Sequence, residues 1–357
     1  MKKVFIILTI ILLFPIHVQG LSVSSRSACL MDSDSGRVLY EKDKNTPRLI
    51  ASITKIMTAI LAIESNRLDE EVTVGEEVLK MYGSNIYIEL NEQMTLRDLV
   101  YGLMLRSGND AAIVISVFVG GSEENFVKMM NEKAIEIGMK NTVFNNPHGL
   151  DEETQNKSSA YDMALLSSYA SQNETYMKIA GTKKYQIKSN KKSYLWNNRN
   201  KLLFSYEFCT AGKTGYTPSA GRTLVTNASK NNLNLTVVTL NDGNEYQTHE
   251  ELYEYAFSNY KNYKILDTKK FKIDDSYYPD KIYIKENFSY PLKEEEKDLI
   301  KVEVKLTKLK NYKNDDQVGI VIVKLGNEEI HNQRVYVKIK EKDNKNIFIK
   351  LWSWLFD

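Results

Sequence analysis

Cysteine is nearly absent. The 357 residues contain two, Cys29 and Cys209, too few for a disulfide framework, and nothing in their placement says that they meet. Histidine is almost as scarce. Four residues without ligand-like spacing argue against a zinc site, and His148 in "NPHGLD" reads as a loop residue holding a turn by hydrogen bonds. No excess of one charge is present either: the net charge of +2, with both signs interspersed, gives no basis for a nucleic-acid partner. Long apolar runs are also missing. The one prominent run, Val4 to Ile16, is shorter than the roughly 20 residues a spanning helix needs. What is present is the composition of a soluble globular chain, rich in tyrosine, poor in proline and long enough for two domains.

The apolar run has a context. Lys2 and Lys3 precede it, and Val18 and Gly20 stand at the minus-three and minus-one places of "HVQG". This layout predicts a secretory signal peptide over residues 1–20, cleaved after Gly20; the alternative is a retained N-terminal membrane helix. Cys29 lacks the preceding pattern of a lipid-attachment site.

After the leader, "ACLMDSDSGRVLYEKD" predicts a β-hairpin around an Asp-Ser-Asp-Ser-Gly turn. In "ASITKIMTAI", Ile53, Ile56, Met57, Ile60 and Leu61 form an apolar helical stripe, while Ser52 and Lys55 share another face one turn apart. Thr95 is expected to cap a second helix, "LRDLVYGLML". Asp110 is expected to cap a third, "AAIVISVFV", ended by Gly120 and Gly121, and Ser122 a fourth, "EENFVKMMNEKAIEI". From Cys209 to Asn241 short β-rich runs alternate with turns, predicting an antiparallel sheet, and "HEELYEYAFSNY" reads as a closing helix. Strands at both ends with helices between predict an α+β domain over residues 21–264.

Residues 265–341 differ in kind. Ile300, Val302, Val304 and Leu306 alternate with charged residues, as do Val335, Val337 and Ile339, and Val318–Val323 runs into a Gly326-Asn327 turn. This predicts a small all-β module without catalytic residue types, a spacer or docking domain. In the tail, residues 342–357, a helix would place Lys350, Ser353 and Asp357 on a narrow polar face opposite Phe348, Leu351, Trp352 and Leu355. Such a segment can lie in a membrane interface; the alternative is packing against the β-module.

Three polar groupings interrupt otherwise apolar elements: Ser52-Ile53-Thr54-Lys55, Ser107-Gly108-Asn109 and Lys213-Thr214-Gly215. Singly each is weak. In this order, with Ser-x-x-Lys opening a helix, Ser-x-Asn between helices and Lys-Thr-Gly on a strand beside a turn, they are a strong signal. A serine hydroxyl needs a base, and a desolvated lysine one turn away can be that base if its neutral form is accessible.

With these motifs the chain resembles the serine-type D-alanyl-D-alanine carboxypeptidases, the low-molecular-mass penicillin-binding proteins. The resemblance extends through "SGRVLYEKD", "RSGNDAA", "NPHGLD", "YDMALLS" and "GKTGYT" to the tail, and "GKTGYTPSAGRTLV" and "TLNDGNEYQTHEELYEYAF" look most like the sporulation-associated branch. It implies a β-lactamase/transpeptidase-like catalytic domain, an antiparallel sheet flanked by a helical cluster. It also implies peptidoglycan stem peptides ending in D-Ala-D-Ala as substrate, β-lactams as covalent inhibitors, no cofactor, and action outside the cytoplasmic membrane. Ser52 would be the nucleophile, Lys55 its base, Ser107 a proton shuttle and Asn109 an orienting group. Lys213, Thr214, Gly215, Tyr216 and Thr217 would bind substrate, with the Ser52 and Tyr216 N–H groups meeting the oxyanion. The sequence departs from the family where an arginine often grips the substrate carboxylate; the matching place is near Asn234. Arg222 is the candidate replacement, against the alternative of a surface salt bridge. Two rival readings are a serine β-lactamase, for which Glu152 and Glu153 offer acids without the expected Glu-x-x-Leu-Asn pattern, and a non-catalytic envelope scaffold.

Overall fold

A five-stranded antiparallel sheet is closed by strands from the two ends of the first domain. In the computed structural model, which describes residues 21 and 23–339, β1 (Ser27–Asp32) and β2 (Val38–Lys42) form the expected hairpin, and β3 (Cys209–Thr217), β4 (Gly221–Lys230) and β5 (Leu233–Leu240) the later meander. The spatial order is β2-β1-β5-β4-β3. Pairing of Cys29 with Val238 and of Val225 with Lys213 sets the register. The expected leader (1–20) and tail (342–357) lie outside the described residues. Among the described residues no helix is long and apolar enough to cross a membrane.

Alternation within the strands divides the core in two. Cys29, Met31, Val225, Val238 and Leu240 pack against the helical cluster, whereas Ala28, Leu30, Leu224, Leu235 and Val237 pack under the closing helix. Both faces are covered, so these strands read as nearly continuous apolar runs. The same alternation separates the cysteines: Cys29 faces the helical cluster, Cys209 borders the other core, and both are free thiols.

The helical cluster comprises α1 (Lys55–Glu64), α2 (Leu96–Arg106), α3 (Asn109–Gly120), α4 (Glu123–Ile137), α5 (Ala160–Ser171) and α6 (Glu174–Gly181). Thr95 accepts from Asp98 N–H in a reciprocal capping box, and Ser122 accepts from Asn125 N–H, as the sequence predicts. Asp110 behaves differently. The cap of α3 is Gly108, and the Asp110 carboxylate accepts the N–H groups of Ile86, Tyr87 and Ile88 instead, pinning the 84–88 loop to the start of α3. Helices α5 and α6, capped by Ser159 and Asn173, escape the sequence reading, as does a hairpin of Lys184–Lys188 with Ser193–Asn197. The closing helix α7 spans Glu245–Asn259, starting earlier than its apolar pattern.

Beyond α7, Lys261–Leu266 pairs with Phe288–Leu292, so the expected boundary at 264/265 falls inside a strand. A four-stranded sheet follows, Lys281–Tyr283, Glu328–Lys338, Gln317–Leu325 and Ile300–Leu306 in spatial order, with its own core of Leu266, Tyr278, Val321, Val323, Val335 and Val337. Arg37, from the β1–β2 turn, joins the two cores by pairing with Glu296 and lying over the Tyr260 and Tyr290 rings.

Candidate active site

The site forms where a helix start, a helix-to-helix turn and an edge strand meet. Residues Ala51–Thr54 make a tight 3₁₀ turn that runs directly into α1. Its first residue, Ala51, has φ +49°, a left-handed conformation costing a non-glycine residue about 1–2 kcal/mol. Two glycines hold the turn from outside. A Cβ on Gly149 (φ +88°) would lie 2.0 Å from Ala51 O, and one on Gly215 of β3 would lie 2.9 Å from Ser52 N. Thr223 on β4 adds a hydrogen bond to Ile50 O at 3.0 Å.

Ser52 Oγ is 3.1 Å from Lys55 Nζ, which also contacts Asn109 Oδ1 at 2.7 Å and His148 O at 2.5 Å. The last two can only accept. A neutral amine has two N–H bonds and one lone pair, so satisfying both carbonyls leaves the lone pair directed at the Ser52 hydroxyl. Burial favours that neutral state. Lys55 has no exposed surface, and desolvation, the Lys213 charge and Arg199 hold its pKa well below that of an ordinary lysine, against the opposing pull of Asp110.

Lys213, on β3 and also buried, donates to Ser107 Oγ at 3.0 Å and Thr214 O at 2.6 Å. Desolvation, helped by Arg199, lowers its pKa to about 7. Ser107 ends α2 with φ +64°, which turns the chain so that Asn109 begins α3 facing Lys55. Asn109 is fixed by its other end as well, donating to Tyr82 O at 2.7 Å. Ser52, Lys55, Ser107, Asn109 and Lys213 are thus brought into one hydrogen-bonded array.

The remaining expected residues are placed as follows. Gly215 and Thr217 share the strand face of Lys213, and Thr217 Oγ1 accepts from Ala220 N–H and donates to Asp151 Oδ2 at 2.6 Å. Thr214 and Tyr216 alternate to the other side, Tyr216 largely exposed. Arg222 lies across from Tyr216 in the register, donates to Glu245 Oε1 at 3.3 Å and passes over the Tyr216 ring. The surface salt bridge is therefore formed, while more than half of the Arg222 side chain remains exposed.

Several participants escape the sequence reading. His148 holds its turn by a hydrogen bond, as the sequence predicts, its ring accepting from Leu150 N–H at 3.1 Å and its pKa pushed down to about 3 by burial; the part not read from sequence is that its carbonyl accepts from Lys55. Asn146 and Asn156 build that loop by accepting and donating main-chain bonds. The Asn146-x-x-Gly149 turn pattern was the available signal for it. Beside the array a cavity of about 500 Å³ is lined by Tyr82, Glu123, His148, Leu150 and Glu153. Among the described residues no cluster of three or more His, Cys, Asp or Glu side chains could hold a metal.

The fold is that of a serine peptidase, and the array sets a serine hydroxyl beside a buried amine. Residues 15–244 match the D-alanyl-D-alanine carboxypeptidase family and residues 261–343 the C-terminal domain of penicillin-binding protein 5. The chain belongs to the D-alanyl-D-alanine carboxypeptidase family. Among curated relatives it is 36% identical over 254 residues to D-alanyl-D-alanine carboxypeptidase DacF of Bacillus subtilis, a match covering 69% of this chain and 65% of that one. It is 30% identical to DacA of Haemophilus influenzae, over 93% of this chain and 89% of that one. Penicillin binding protein 5 from Haemophilus influenzae superposes with a TM-score of 0.76 at 26% identity, covering 89% of this chain and 97% of its own. Penicillin binding protein 6B from Escherichia coli gives 0.70 at 27% identity, covering 90% and 97%.

Proposed function

We propose that this protein is an exported D-alanyl-D-alanine carboxypeptidase that removes the terminal D-alanine from peptidoglycan stem pentapeptides. The observation that carries the reading is the buried Lys55 amine between Ser52 Oγ and two carbonyl acceptors. Ser52 Oγ attacks the penultimate D-Ala carbonyl carbon while Lys55 Nζ takes its proton. The N–H groups of Ser52 and Tyr216 stabilise the oxyanion. The C–N bond then breaks, and the proton reaches the departing amine through Ser107, which Lys213 holds. Water, deprotonated by the same route, hydrolyses the ester and restores Ser52. Asn109 orients Lys55 and binds the peptide amide. Gly215 lets the substrate strand lie close to the nucleophile, and Lys213 and Thr217, on the same face of β3, lie towards the leaving residue, whereas Thr214 stands on the other face and Arg222 is engaged by Glu245.

The likeness to DacF and the "GKTGYTPSAGRTLV" stretch support placement in the sporulation-associated branch. The leader over residues 1–20 supports export, the catalytic domain runs from residue 21 through α7, and the β-module begins with the Lys261–Leu266 strand, a few residues before the boundary expected at 264/265. The tail, 342–357, holds the protein on the outer face of the membrane through its apolar side chains. β-Lactams are covalent inhibitors, because the acylated Ser52 retains the opened ring and no leaving group diffuses away.

The test is labelled penicillin followed by tryptic mass mapping. The expected adduct is on Ser52, and Ser52→Ala abolishes it without unfolding the protein. An adduct on any other residue would overturn the assignment, and failure to release D-alanine from a stem pentapeptide would overturn the activity.

A further inference from the structure

One cation beside the array has no role in this mechanism. The main chain of Arg199 is held by two hydrogen bonds: its N–H donates to Leu105 O at 3.1 Å, two residues before Ser107, and its carbonyl accepts from Tyr246 Oη at 3.3 Å. The flanking Asn198 is buried and donates to Ala180 O and Thr182 O. From this anchored main chain the guanidinium donates to Ser84 Oγ at 2.8 Å, and Ser84 O in turn accepts the Asn109 N–H at 2.7 Å. Arg199 therefore extends along the wall that carries Ser107 and Asn109, opposite the edge strand β3. The residue as a whole is exposed.

No carboxylate among the described residues pairs with it. Ser84 is its side-chain hydrogen-bond partner, and the charge that acts on it most is another cation, Arg106. Its positive field reaches both Lys55 and Lys213. A solvent-accessible guanidinium whose field reaches two buried amines, with no carboxylate among the described residues paired to it, is suited to receive an anion. The leaving residue of an acyl-D-Ala-D-Ala substrate carries one, and its amine departs on the Ser107 side.

We propose that Arg199 determines specificity by receiving the free carboxylate of the leaving residue from the wall opposite β3. The proposal rests on Ser52 as nucleophile. Arg222, on the β3–β4 side and engaged by Glu245, is the competing receiver.

The test uses the full chain, as wild type, Arg199→Gln, Arg199→Lys and Arg222→Ala. Each is assayed on a peptide ending in D-Ala-D-Ala as the free acid and as its C-terminal amide, and the readout is the acid-to-amide ratio of kcat/KM. Loss of one charge-assisted contact should lower that ratio about 10- to 100-fold in Arg199→Gln. Arg199→Lys should recover part of it and also serves if the glutamine variant fails to fold. Equal losses on acid and amide would overturn the proposal, leaving Arg199 as a support for Ser84 and Asn109. A fall confined to Arg222→Ala would overturn it in favour of the β3–β4 side. A wild type that penicillin does not acylate at Ser52 would sink the underlying mechanism instead, whatever the ratio in the variants.

Discussion

Gly149 and Gly138 form a natural pair for measuring what holds the Ser52 turn. Their φ values are +88° and +89°, but a Cβ on Gly138 meets nothing within 4 Å, whereas one on Gly149 would lie 2.0 Å from Ala51 O, 2.5 Å from Ala51 C and 3.0 Å from Ser52 N. Replacing either with alanine imposes the same left-handed penalty, about 1–2 kcal/mol. At Gly138 that is the whole effect. At Gly149 overpacking adds about 1–3 kcal/mol, and relieving the overlap requires a shift on the order of 1 Å in either the Ala51 peptide or the His148–Gly149 backbone. Both outcomes damage the array, since Ala51 precedes Ser52 and His148 O receives Lys55. A misplacement of that size costs roughly a hundredfold in rate. Urea denaturation and penicillin acylation followed by mass spectrometry should show Gly138→Ala slightly less stable and kinetically normal, and Gly149→Ala both less stable and about a hundredfold slower. If Gly149→Ala acylates at the wild-type rate and loses no more stability than Gly138→Ala, the Gly149 contact does not position the nucleophile.

Lys55→Arg should fail to acylate even though charge is retained, because guanidinium does not give up its proton to become a base; full-rate labelling would contradict the role of Lys55. Acylation should fall as pH drops, because the neutral amines that burial favours become protonated, with apparent values that belong to the Lys55–Lys213 pair; a flat rate from pH 8 down to pH 5 would argue against an amine base. Lys213 also sets a stability trend. Its pKa is lowered from 10.5 to about 7, so between those values the unfolded chain binds the extra proton and stability should rise with pH, which denaturant titrations across that window can read. Deleting residues 346–357 should release an active protein from membranes; continued sedimentation would place the anchor elsewhere.

Periodicity and turn chemistry were enough to place the β1–β2 hairpin, α2, α4 and the meander of β3 to β5, because each carries its signal within one window of sequence. Thr95 and Ser122 announce their helices through bonds three residues away. The order of Ser-x-x-Lys, Ser-x-Asn and Lys-Thr-Gly likewise pointed to the polar groups of the array, since a spacing of three is one turn of either an α- or a 3₁₀-helix. What local pattern could not carry was every contact between distant segments. Asp110 looked like a helix cap because aspartate beside a helix start usually is one, yet tertiary packing gives its carboxylate the three N–H groups of the 86–88 loop. Helix α5 escaped because it is buried among other elements and lacks a single apolar face. The neutral state favoured for Lys55 depends on full burial and on the charges of Lys213 and Arg199, which only the assembled fold supplies. Sequence by itself determined which polar side chains are available to the array; tertiary structure decided that they meet, how far burial shifts Lys55 and Lys213, and where Arg199 lies, because desolvation and charge proximity exist only after the chain has folded.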